Sequence, residues 1–99
     1  MIKKQFVKSR KVTKVTFELP ADVEADAVQL IADWSDWQPV PFDHLKSGKW
    51  KLVQELEPEQ DYQFRYRVVS GSEDQYLNDP EADYTVPNDR GTENAVLRA

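Results

Sequence analysis

The sequence of 99 residues contains no cysteine, a single histidine and only three glycines. The absence of cysteine excludes disulfides, thiolate metal sites and catalysis by a thiol. Gly48, Gly71 and Gly91 lie too far apart to form a glycine-rich phosphate-binding loop. His44 has no second histidine with which to hold a metal, and it gives little support for a Ser-His-Asp triad. We therefore expect no metal and no cofactor.

Long apolar runs and helical stripes are also missing. No stretch approaches the length of a membrane-spanning helix, and no apolar segment follows the first basic residues as it would in a secretory signal. The nearest candidate for a helix, 20–28, is short and acidic. These absences predict a cytoplasmic protein that does not associate with membranes.

The charge is unevenly distributed along the chain. The formal net charge is −5, from 13 basic and 18 acidic residues, yet six of the basic residues precede Glu18, the first acid. An acidic body disfavours nucleic-acid binding, because phosphate neutralisation requires clustered lysine and arginine. We expect residues 1–10 to be a basic N-terminal arm or an edge strand, and residues 11–99 to be a single domain. The basic run has two interpretations, a solvated edge or a contact for an acidic partner.

Carboxylates cluster in two segments, 33–43 and 79–83. A glycosidase needs two carboxylates held across a deep cleft, with the pKa of one of them raised. Nothing marks any pair as special, and aspartate is common in turns. The segment 79–83 also lacks the glycine and the terminal glutamate of a calcium-binding loop. We interpret these residues as solvated acids in turns and expect no enzyme activity.

Alternation with a period of two residues predicts strands. The pattern is clearest in 62–69, where aromatic and apolar residues alternate with arginines and glutamine. We expect 83–91 to be a long loop. Six or seven short strands in a chain of this length predict an all-β, immunoglobulin-like sandwich of about seven strands. The further predicted strands are 11–19, 28–33, 50–56, 75–77 and 94–97.

A strand that runs into a polar turn carries two tryptophans three positions apart. Continued alternation from Val28 points Trp34 inward, over the end of the core. Trp37 follows the Ser35-Asp36 turn, which predicts a surface position. Trp50 has the parity of a core residue in its own strand.

Exposed aromatic rings beside planar hydrogen-bond donors indicate a sugar-binding surface, because sugars present apolar C–H faces and a rim of hydroxyls. Trp37, Arg65, Tyr76 and Asn94 have this chemistry, although the sequence alone does not bring them together. Alternatives remain open. Trp37 could instead cap the end of the sandwich, and Tyr76 could pack against the neighbouring strand. Arg65 could form a surface ion pair with an acidic residue.

From Ala27 to its C-terminus the chain resembles carbohydrate-binding module family 48. This is the early-set domain at the N-terminus of isoamylases, pullulanases and glycogen branching enzymes, and the glycogen-binding domain of the AMP-activated protein kinase beta subunit. The matching order and spacing are together specific, although each motif alone is weak. The matching segments are 28–37, Gly48-Lys49-Trp50, 62–68, Asn78-Asp79-Pro80 and Gly91-Thr92-Glu93-Asn94.

The resemblance implies a non-catalytic module that binds α-glucan such as glycogen or starch, with a glucan-active enzyme as a further partner. By position, Trp37 resembles a sugar-stacking tryptophan and Arg65 a lysine that bonds glucose hydroxyls. Tyr76 stands where the family has its second stacking tryptophan, and Thr92 and Asn94 match a loop that contacts sugar. Arg90, in contrast, stands where glycogen binders have an apolar residue. The alternative is a protein-interaction or regulatory domain of the same fold that has lost sugar binding.

Overall fold

A computed structural model describes all 99 residues of the chain, and ten segments of it are β-strands. A three-residue 3₁₀ turn, Asp33–Ser35, is its one helical element. The structure contains no helix with the length and hydrophobicity that spanning a bilayer requires. The strands are β1 (Ile2–Val7), β2 (Val12–Leu19), β3 (Ala27–Ala32), β4 (Val40–Pro41), β5 (Asp43–His44), β6 (Trp50–Leu56), β7 (Asp61–Ser70), β8 (Glu73–Leu77), β9 (Tyr84–Pro87) and β10 (Glu93–Arg98).

The strands form two antiparallel sheets, one ordered β1-β2-β6-β5 and the other β4-β3-β7-β10-β9, with β8 also paired to β7. The long strand β7 pairs with β3 along one edge. Its other edge pairs with β10 over its first residues and with β8 over its last ones. The predicted immunoglobulin-like sandwich is therefore confirmed. The strand count exceeds about seven because four outer strands are not among those that the alternation predicts. They are β1, β4, β5 and β9, each at an edge of its sheet, and β4 and β5 have only two residues each.

The core lies between the sheets and is built from the alternate residues of each strand. In β2, for example, every second residue is buried, as the period of two predicts. Trp50 is only 4% exposed, which confirms its core assignment. The largest fully buried side chains are those of Phe17, Phe64 and Tyr66, which contact one another edge-on or tilted. Five of the fifteen core residues are aromatic, so large rings fill much of a small core.

Trp34 closes one end of this core, as the alternation predicts. Its ring is half-buried and stacks on Phe17, with centroids 6.1 Å apart, and meets Tyr62 edge-on at 5.5 Å. Its indole Nε1 donates a hydrogen bond to Oε1 of Gln54 at 3.2 Å. This bond accounts for a polar residue on the inner parity of β6, because a half-buried indole N–H needs an acceptor.

Asp79 contradicts the interpretation of the 79–83 acids as solvated, because it is only 4% exposed. Its Oδ2 accepts a 2.6 Å hydrogen bond from the hydroxyl of Tyr66, and its Oδ1 accepts one from the backbone N of Glu81 at 2.8 Å. Burial, and then the hydrogen bond to Asp79, raise the pKa of Tyr66 far above its ordinary value. A buried carboxylate is tolerated here because each of its oxygens has a partner.

The segment 83–91, predicted as one long loop, contains the edge strand β9. Its proline, Pro87, takes the last position of that outer strand, where no neighbouring strand requires its missing N–H. Lys4 of β1 reaches Asp83 at 2.6 Å and so joins the edges of the two sheets. Burial raises the pKa of Asp83, but hydrogen bonds from the backbone N of Arg98 and from Lys4 outweigh burial and hold the pKa below its ordinary value.

Candidate functional site

The outer face of the second sheet brings the predicted site residues together. In β7 the even-numbered Phe64 and Tyr66 point into the core, so Arg65 points outward. Its cross-strand partner in β3 is Ile31. On the other edge of β7, β8 carries Tyr76 toward this face and β10 carries Asn94. The site therefore lies where the second edge of β7 passes from β10 to β8.

Trp37 reaches this face because the backbone after β3 turns sharply. The backbone N of Trp37 donates to the carbonyl O of Ala32 at 2.8 Å, which closes the turn directly onto the strand end. Asp36 and Trp37 both adopt positive φ angles, 56° and 61°. This conformation is costly for a bulky side chain and is concentrated at functional sites. The ring is 41% exposed, so the predicted surface position of Trp37 is confirmed.

Trp37 and Tyr76 line one open groove of about 450 Å³. Tyr76 is 46% exposed, so both rings face solvent. Four of the five residues predicted from the sequence line the groove, and Thr92 lies directly beside it, in contact with Arg65. The lining residues are Ile31, Trp37, Arg65, Tyr76, Asn88, Asp89, Arg90 and Asn94.

Arg65 is the central cation of the groove and has few protein partners. Its Nη1 donates to Oγ1 of Thr92 at 3.3 Å, and its Cζ lies 5.4 Å from the ring centroid of Tyr76. No carboxylate forms an ion pair with it, and its Nε is buried without a hydrogen-bond acceptor. Arg67, two residues along the same face, instead bonds Asp74 and Oε1 of Gln29. The surface ion pair considered for Arg65 is therefore made by Arg67.

The turn between β9 and β10 is organised by Asn88, which the sequence analysis did not single out. Its Oδ1 accepts from the backbone N atoms of Arg90 at 3.0 Å and Thr92 at 3.2 Å. Its Nδ2 donates to Oγ1 of Thr92 at 2.8 Å and to Oδ1 of Asn94 at 3.0 Å. Asparagine side chains often stabilise turns by such hydrogen bonds. An asparagine three residues before Gly91, whose φ is +79°, is therefore the sequence signal for this turn.

Asn94 is the least accessible of the predicted site residues, at 8% exposed. Its Nδ2 donates to Oε1 of Gln63 at 3.1 Å while its Oδ1 is held by Asn88. Asn94 thus supports the groove from below, whereas Trp37, Tyr76 and Thr92 are exposed and Arg65 is half-buried between them. No cluster of three or more histidine, aspartate or glutamate side chains has the arrangement of a metal site.

No protein-family model and no curated protein matches the chain. Among solved structures, the chain is similar to the Group B Streptococcus pullulanase SAP, with a TM-score of 0.65 and 20% identity over 87% of the chain. It is also similar to a pullulanase from Bacillus acidopullulyticus, with a TM-score of 0.65 and 19% identity over 98% of the chain. The chain spans only 13% and 12% of the lengths of these two proteins. At such identities the similarity is one of fold: the chain has the fold of a small part of two pullulanases.

Proposed function

We propose that this chain is a non-catalytic module that binds α-glucan in the groove between Trp37 and Tyr76. The observation that carries the proposal is that two exposed aromatic rings and an arginine without an ion pair line the same groove. The shared fold with parts of two pullulanases supports a role beside glucan-active enzymes. We expect the module to work in the cytoplasm next to such an enzyme.

The groove has the chemistry that a glucose chain requires. The two rings offer apolar surface for the C–H faces of successive sugars, and the guanidinium of Arg65 offers N–H donors for hydroxyl groups. The groove is open, so bound sugar stays partly hydrated and each hydrogen bond replaces one to water. We therefore expect a dissociation constant in roughly the micromolar to millimolar range.

The charges of the groove favour binding over hydrolysis. Asp89 is the single carboxylate among the lining residues. Glycoside hydrolysis ordinarily uses two carboxyl groups that flank the scissile bond. Because the groove has a single carboxylate, we propose a sugar-binding module and not an enzyme.

The test is a titration with maltoheptaose followed by tryptophan fluorescence. Trp37 is the most exposed of the three tryptophans, so sugar should change its emission. Tyr76→Ala should weaken binding by about tenfold or more, because it removes one of the two stacking surfaces. Tyr84→Ala is the matched control: Tyr84 is also exposed and also lies beside an arginine, Arg98 at 5.7 Å, but it is outside the groove.

The outcomes separate the two functions that we consider. Sugar-dependent emission that weakens in Tyr76→Ala and persists in Tyr84→Ala supports the α-glucan module. Emission that does not respond to maltoheptaose, in a protein with a folded circular dichroism spectrum, rejects it and favours the protein-interaction domain of the same fold.

A further inference from the structure

The five arginines of the chain fall into two groups. Those outside the groove are each paired with a carboxylate: Arg10 with Glu55 at 2.6 Å, Arg67 with Asp74, and Arg98 with Asp61 at 3.2 Å. The two that line the groove, Arg65 and Arg90, form no ion pair. In a protein of net charge −5, carboxylates are plentiful, so two unpaired arginines in one groove form a local positive site.

Arg65 is the less solvated of the two. The residue is half-buried, and its Nε has neither solvent nor an acceptor. Its remaining contacts are a hydroxyl, Thr92 Oγ1, and the ring of Tyr76. A cation that is partly withdrawn from water without a counter-charge has an uncompensated desolvation cost, and an anion in the groove would offset that cost.

Arg90 faces the same groove from a different element. The Asn88 side chain holds the backbone N of Arg90 at 3.0 Å, which defines where the arginine leaves the turn. Asp89 lines the groove as well, but forms no ion pair with either arginine. The charged lining residues therefore comprise two cations and one anion, a positive balance in an acidic protein.

We infer that the groove selects α-glucan chains that carry phosphate monoesters over neutral ones. This inference rests on the proposed function. A phosphate ester has three terminal oxygens, so it accepts hydrogen bonds from two guanidiniums that approach from different directions, and arginine is well suited to such recognition. The aromatic rings would hold neighbouring glucose units while Arg65 and Arg90 contact the phosphate.

The test compares two forms of one ligand. Phosphate-bearing maltodextrins, isolated from potato starch by anion exchange, are titrated by calorimetry before and after phosphatase treatment. At low salt the phosphorylated form should bind at least about tenfold more tightly, because even one added charge-assisted contact predicts that difference. Arg90→Gln should lower the affinity ratio of the two forms toward one, because only Arg65 then contacts the phosphate. Arg10→Gln, which removes the same charge on the other sheet, should preserve the ratio.

Five results would overturn the inference. Equal affinity for the two dextrins would refute the phosphate preference while leaving the α-glucan module in place. A full preference in Arg90→Gln, or its loss in Arg10→Gln, would show that the preference does not come from the groove arginines. Inorganic phosphate that binds as tightly as the phosphorylated dextrin would show that the sugar is not recognised. Failure of both dextrins to bind would refute this inference and the proposed function together.

Discussion

Replacing Trp37 by alanine and by glycine separates the role of its ring from the strain in its backbone. An exposed tryptophan side chain presents roughly 250 Å², and Trp37 is 41% exposed, which leaves roughly 100 Å² for a sugar to cover. At about 25 cal/mol per Å², covering that area contributes up to about 2.5 kcal/mol. Loss of the ring should therefore weaken maltoheptaose binding by up to about 50-fold to 100-fold in both variants.

The stabilities of the two Trp37 variants should differ although their affinities do not. Both lose the buried part of the ring, which costs at most about 4 kcal/mol. At a φ of 61°, however, glycine avoids a steric penalty of roughly 1–2 kcal/mol that alanine keeps. Trp37→Gly should therefore be more stable than Trp37→Ala by about 1 kcal/mol.

The assay is calorimetric titration with maltoheptaose at a temperature where both variants are folded, combined with urea unfolding. Equal loss of affinity with unequal stability supports a ring that serves the ligand. Wild-type affinity in a folded Trp37→Ala would refute the stacking role. Affinities that follow the order of the two stabilities would show that binding is lost through unfolding.

Three further substitutions test the backbone and the buried polar pair by urea unfolding. Asp36→Gly should stabilise the protein by about 0.5–1 kcal/mol, because Asp36 has a left-handed φ of 56°. A loss of stability would contradict the backbone strain inferred at Asp36. Gly48→Ala should cost about 2 kcal/mol, since φ is +92° and the new Cβ would lie 3.0 Å from the Cβ of Ala21. Tyr66→Phe should cost about 1.5–3 kcal/mol by removing the donor to Asp79.

Two controls accompany these substitutions. Gly71→Ala has a φ of +59° with nothing within 4 Å of the new Cβ, so it should cost less than Gly48→Ala. For Tyr66→Phe, the control is the direction in which the free energy of unfolding changes with pH. The folded state raises the pKa of Tyr66, so the stability from its protonated form is complete below the unfolded pKa of about 10 and is lost as the pH rises above it. Tyr66→Phe should lose less stability than wild type between pH 9 and 11, and an equal loss would contradict the burial argument.

The architecture follows from local patterns, so the sequence predicted much of it. Alternation in 62–69 and parity at Trp34 and Trp50 depend only on neighbouring residues, and those residues lie where the patterns placed them. The burial of Asp79 was not predictable in this way, because it depends on a tyrosine hydroxyl 13 residues earlier in the chain. The strand β9 was missed because its four residues, ending in proline, carry little alternation.

Prediction of the site was likewise limited by contacts between residues that are distant in the sequence. Arg65 and Arg67 have the same parity in one strand, and nothing local distinguishes them. In the pairing of β7 with β8, Tyr76 lies opposite Arg67, but the contacts are diagonal: Arg67 bonds Asp74, and Arg65 lies beside the ring of Tyr76. Availability of a guanidinium for a ligand is thus a property of strand pairing, which the sequence pattern does not specify.

The central claim is that a sugar chain lies in the groove between Trp37 and Tyr76. It is tested most directly by a two-dimensional ¹H–¹⁵N spectrum of the labelled protein during titration with maltoheptaose. The account predicts that the indole N–H resonance of Trp37 and the backbone amides of 88–92 shift together, while the indole resonances of Trp34 and Trp50 stay in place. Absence of shifts at millimolar sugar, or shifts confined to the β1-β2-β6-β5 sheet, would contradict it.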